Sequence, residues 1–111
     1  MSNINTVTID TLRSLAFGSI SGSYAAVGTS FTHPVRLMCI TNNTDADMLF
    51  STDGVNDMLF IPSQSFKLFD LATNRALLGN IWCFPVGTQI YVKQSTAPTS
   101  GSVYVECLWG E

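Results

Sequence analysis

Charge is scarce in this sequence. Asp, Glu, Lys and Arg make up 12% of its 111 residues, about half of the roughly 25% usual for a soluble domain. The five basic residues, Arg13, Arg36, Lys67, Arg75 and Lys93, are scattered. No basic patch forms of the kind that neutralises phosphates, so direct nucleic-acid binding is not expected. Histidine is nearly absent as well. His33 stands alone, which excludes a multi-histidine metal site. Pro34 holds it extended and no nucleophile motif adjoins it, so it reads as a loop residue rather than a general base. There is no phosphate-binding glycine loop. The nearest approach to a nucleophile elbow, Gly18-Ser19-Ile20-Ser21-Gly22, has isoleucine at its centre. The expectation is therefore a protein that is not an enzyme and carries no cofactor. Long apolar runs are missing too: nothing approaches the roughly 20 residues that span a bilayer. The opening MSNINTVTID has neither a basic nor an apolar leader region. No membrane partner is expected, and synthesis in the cytoplasm without classical export is.

What is present is strand signal. The chain is 46% hydrophobic, and its apolar residues alternate rather than follow a helical period. Val35 to Thr41 places Val35, Leu37 and Cys39 on one face, and Ser102 to Trp109 does the same with Val103, Val105, Cys107 and Trp109. Thr88 to Gln94 alternates through Ile90 and Val92, and Ser65 to Leu71 through Phe66 and Leu68. The runs Met48 to Phe50 and Met58 to Ile61 fit shorter, more buried strands flanking a turn at Asp53-Gly54. Pro62-Ser63, Pro85-Val86-Gly87 and Ala97 to Gly101 punctuate the rest. Arg13 to Gly28, rich in small residues, reads as one or two bent strands, and Leu71 to Leu78 has room for one helical turn. Strands at this spacing predict a single-domain, all-β antiparallel sandwich or barrel over residues 11–111, preceded by a polar arm over residues 1–10.

A thinly charged surface on an apolar chain gives little protection against association, so an oligomer or assembly component is the natural expectation. Cys39, Cys83 and Cys107 each lie in an apolar run without CxxC spacing and read as reduced core residues. Asp45, Asp47, Asp53 and Asp57 fall within thirteen residues with no lysine or arginine among them. They are the best candidates for a hard cation, yet the spacing fails an EF-hand, with Met48 at the turn-glycine position and Gly54 at the closing-glutamate position counted from Asn43. Turn chemistry is the preferred account, and no metal is expected. Asn42-Asn43-Thr44 matches a glycosylation acceptor, with little weight in the absence of a secretory signal. Tyr24, Tyr91, Tyr104, Trp82 and Trp109 are available for sugar stacking, although core and subunit contact fit them better.

Two stretches, ITNNTDADMLFSTDGVNDMLFIPSQSFKLFDLATNR and GTQIYVKQSTAPTSGSVYVE, resemble a family of small virion proteins of tailed bacteriophages. The marks are the NNTDA turn, the S-x-DG strand end, a proline-initiated strand ending in D-L-x-x-N, the G-T-x-I-Y-V strand and the A-P-T-x-G loop. The resemblance covers about residues 34–106 and points to the capsid decoration, staple or cement, proteins of epsilon-fifteen-like short-tailed phages of Salmonella. It implies a jelly-roll-like sandwich on the outer surface of an icosahedral capsid in the virion. There the protein would form a homodimer at two-fold positions and bridge neighbouring copies of the major capsid protein against DNA pressure. The residues expected at partner contacts are Asp45, Asp47, Asp53 and Asp57, with the arm, at the capsid, and Tyr91 or Tyr104 at the homodimer. The alternative expectation keeps the fold and makes it a tail- or fibre-associated glycan- or receptor-binding module.

Overall fold

Ten residues of alternating small polar and β-branched or aromatic character, Gly101–Gly110, cannot be satisfied by one short partner. In the computed structural model, which describes residues 7–70 and 84–110, they form the longest strand of a sheet and pair on both sides. Nine strands lie among the described residues: β1 Val7–Ile9, β2 Arg13–Ala16, β3 Ala25–Ala26, β4 Val35–Thr44, β5 Met48–Ser51, β6 Leu59–Ile61, β7 Ser65–Asp70, β8 Tyr91–Gln94 and β9 Gly101–Gly110. One sheet has the order β1-β9-β4-β7, with β2 sharing the β1 edge of β9. The other has the order β3-β8-β5-β6, and all pairs are antiparallel. Consecutive strands change sheet except β1 to β2, which both pair with β9, and β5 to β6, which form a hairpin. This is the jelly-roll form of the β-sandwich expected from strand spacing.

The two inner faces meet in one core. Val103, Val105 and Cys107 of β9, Met38 and Ile40 of β4, and Met48, Phe50, Ile61 and Val92 of the opposite sheet are all buried. Each large side chain among them contributes about 1.5–3 kcal/mol by leaving water. Val35 is buried too, but Leu37 and Cys39, expected beside it, face outward. The cause is a β-bulge between Val35 and Leu37. One extra residue there inverts the alternation, so Met38 and Ile40 take the core positions downstream. Cys39 is thus not a core thiol. Phe66 and Leu68 also point away from the core. They pair with Thr41 and Cys39, which are themselves outward, while Phe69 pairs with Met38 and packs inward.

Two further expectations change. Of the polar arm, Val7–Ile9 form β1 against Leu108 to Gly110, because β9 runs on past the end of β2 and offers an unpaired backbone edge there. The Asp53-Gly54 turn belongs to a longer hairpin loop, since Phe50 pairs with Leu59. Residues 1–6, the possible helical turn at Leu71 to Leu78, and Trp82 and Cys83 lie outside the described residues.

Candidate interaction surface

The four aspartates do not converge. Asp45, in the β4–β5 connection, accepts from the Thr99 N–H (2.8 Å), the Ser100 N–H (3.3 Å) and the Thr99 hydroxyl, and so ties the β8–β9 loop down. Those bonds, the Thr99 hydroxyl first, hold its carboxyl below the usual range. Asp47 accepts from the Ser63 N–H at 2.9 Å. Asp53 folds its own loop. It takes the Ser51 hydroxyl (2.6 Å), the Val55 and Asn56 N–H groups (2.8 and 2.9 Å) and the Asn56 amide (2.7 Å), and the Ser51 hydroxyl leads these in pushing its pKa well down. Asp57 pairs with Lys93 (2.8 Å) and accepts from the Tyr24 hydroxyl (2.6 Å), and both lower its pKa. Lys93 in turn sits 4.8 Å from the centre of the Tyr24 ring. Burial, with the Asp57 carboxylate, pushes the Tyr24 phenol up. No group of three or more metal-ligating side chains occurs among the described residues. For these carboxylates, turn and loop chemistry is what the structure displays.

The expected tyrosines part company. Tyr91 lies on the outer face of the β3-β8-β5-β6 sheet, half-buried beneath the hairpin loop, where a side-chain atom at Gly54 would meet its ring at 3.5 Å. Tyr104 lies on the outer face of the other sheet, paired with Ser14 and Thr41. Asn42, the acceptor of the glycosylation sequon, is fully buried and holds the β4–β5 corner together, so no glycan can reach it. His33 stacks on Trp109 with ring centres 3.7 Å apart, a packing role for both.

One buried charge escaped the sequence reading. Arg13 is 5% exposed. It donates to the Thr29 carbonyl (2.6 Å), the Ser30 carbonyl (3.3 Å) and Asp10 (3.1 Å), with its guanidinium 5.0 Å from the centre of the Phe31 ring. Burial raises the Asp10 carboxyl, but the Thr11 N–H and Arg13 outweigh it and leave the pKa lowered. Nearby, burial lifts the Cys107 thiol to about 11, which makes it an unreactive core group. This cluster pins β2 to the loop before β4. It faces no cleft. A cavity of about 190 Å³ between the sheets is lined by Met38, Ile40, Phe50, Met58, Phe69 and Phe84 among others, and no titratable side chain lines it.

Among the apolar surface open to solvent is one sheet face. Leu37, Cys39, Phe66, Leu68, Tyr104 and Leu108 occupy outward register positions on β4, β7 and β9. Phe66 is 64% and Leu68 56% exposed. Strands β4 and β7 carry apolar residues at both parities (VRLMCI and SFKLFD), and that doubling was the available sequence signal for a face that is apolar without being core. No family model, curated protein or solved structure matches this chain.

Proposed function

We propose that the protein is a structural virion component. On this reading it decorates the outside of an icosahedral phage capsid and ties neighbouring copies of the major capsid protein together. The observation that carries this reading is the apolar outer face of the β1-β9-β4-β7 sheet, with Phe66 and Leu68 exposed on it, on a jelly roll of low charge. An exposed patch of that kind marks a protein-contact surface. Asp45, Asp47, Asp53, Asp57 and Tyr24, by contrast, are engaged in intramolecular bonds. Stabilisation would come from interface burial repeated over the shell, where moderate contacts accumulate through multivalency. The resemblance of residues 34–106 to phage decoration proteins points the same way.

The test is binding of the purified protein to empty, expanded shells lacking it, followed by heating with and without the protein. Saturation at hundreds of copies with a raised disruption temperature is the expected result. Absence of shell binding, with a few copies located at the tail, would overturn it in favour of a receptor-binding module.

A further inference from the structure

We infer that the outer face of the β1-β9-β4-β7 sheet docks a protein partner that sets apolar side chains around a lysine or arginine aimed at Glu106. The inference rests on the assembly reading above and adds the chemistry of the partner. Glu106 is exposed on β9, paired with Cys39 on β4 and flanked along its own strand by Tyr104 and Leu108. It therefore sits within the apolar field. The other charge at an outward register position is Asp70, beside Leu37 at the border. No lysine or arginine holds such a position on β4, β7 or β9. Lys67 alternates to the opposite face from Phe66 and Leu68, and Arg36 lies in the bulge, three residues along β4 from the Glu106 partner Cys39. Among the described residues Glu106 takes part in no ion pair.

That charge pattern selects the occupant. Covering the face desolvates Glu106, and a carboxylate taken from water without a counter-ion is strongly disfavoured. Two copies of this face bring the two Glu106 carboxylates together and, among the described residues of β4, β7 and β9, offer no outward lysine or arginine, so a second copy of the chain is the wrong partner here. Size argues likewise. Four strands about 4.8 Å apart and some seven residues at about 3.3 Å each give about 400 Å² per side. The two sides together make about 800 Å², below the roughly 1,200–2,000 Å² of a self-sufficient interface. A face of this area suits one contact among several on a larger assembly. Tyr104 accordingly belongs to the contact with that partner rather than to a homodimer. The outer face of the opposite sheet differs, because its lysine, Lys93, is already paired with Asp57.

The decisive experiment has two arms. In the first, the free protein is titrated with a strand-forming peptide alternating leucine and arginine, and with a leucine–glutamate control, while NMR shifts are followed residue by residue. Shifts clustered on Phe66, Leu68, Tyr104 and Glu106 are expected with the arginine peptide alone. Glu106→Gln should weaken them by roughly tenfold or more, as expected for loss of a desolvated charge partner. Equal response to both peptides, shifts mapping elsewhere, or a dimer in sedimentation that Leu68→Glu dissociates would overturn the inference. In the second arm, shell binding is compared for wild type, Leu68→Glu, Glu106→Gln and the opposite-face control Phe60→Glu, each checked for folding by its thermal transition. Loss in the first two variants with Phe60→Glu unaffected supports the inference. Undiminished binding by all three overturns it and leaves the decoration reading intact. A wild-type protein that ignores shells but binds the arginine peptide on this face refutes decoration and keeps the docking surface.

Discussion

Asn42→Ala should strongly destabilise this protein, although position 42 looks like part of a surface turn. The Asn42 side chain has no exposure to solvent. Its amide donates to the Ala46 and Ile61 carbonyls, both at 2.9 Å. Its oxygen accepts from the Thr44 N–H at 3.1 Å and the Thr44 hydroxyl at 2.6 Å. It thus joins β4 to the β4–β5 corner and to β6 in the other sheet. Truncation takes their side-chain partner from the Ile61 carbonyl and the Thr44 N–H in a dry site, while the Ala46 carbonyl keeps the Thr44 hydroxyl at 2.9 Å. At about 1–3 kcal/mol for each of the two stranded groups, the loss is at least about 2 kcal/mol and of the order of 4. A domain of this size has about 5–15 kcal/mol in all. In urea, with a slope of about 1–3 kcal/mol/M, the midpoint should fall by about 2 M. Asn42→Asp keeps the shape but replaces two donors with acceptors, and its penalty should deepen above about pH 4, where the new group would have to ionise. Asn43→Ala, one residue on and exposed, should stay within about 0.5 kcal/mol. Equilibrium urea unfolding of the three variants decides the matter. A loss under about 1 kcal/mol for Asn42→Ala at unchanged slope would refute the claim that this network joins the sheets.

Gly101→Ala and Gly87→Ala share a backbone φ of +92°, but a Cβ at 101 would lie 2.0 Å from the Asn43 carbonyl oxygen while position 87 is open. The second should lose about 1 kcal/mol from backbone strain and the first clearly more in thermal unfolding. Arg13→Met should cost about 3–5 kcal/mol by stranding the Thr29 and Ser30 carbonyls and the Asp10 carboxylate, and Arg13→Lys should fail to restore it in chemical denaturation. Asp45, Asp53 and Asp57 all have lowered pKa values. Their stabilisation is present above the ordinary carboxylate range and lost as pH falls through the depressed folded-state values. Melting temperature should thus fall from about pH 4 downward, and each Asp→Asn change should flatten that slope. In a Cys83→Ser background, Ellman's reagent should modify Cys39, half-exposed on the outer sheet face, in the native state. Cys107 should react only after unfolding.

Strand class and most strand positions were legible because alternation and turn residues are local signals. Val103, Val105 and Cys107 face the core as their spacing predicted, since β9 runs without a bulge through that stretch. Faces were not legible where apolar residues occupy both parities. In β4 a single bulge residue decided that Met38 and Ile40, not Leu37 and Cys39, enter the core. The aspartates were legible as turn formers, as Asp53 shows by bonding within its own loop. Their longer-range partners were not, because Asp45 meets Thr99 and Asp57 meets Tyr24 across 54 and 33 residues. Arg13 and Asn42 read as ordinary polar residues, since nothing in their neighbours announces a buried site.

The sequence by itself determined that the chain folds as an all-β sandwich with little charge, because composition and period-two patterning act residue by residue. Tertiary structure alone decided which apolar side chains are core and which form an open face around Glu106. The physical reason is that a strand has two equivalent sides, and only pairing across the sheets and the bulge that sets its phase tell them apart.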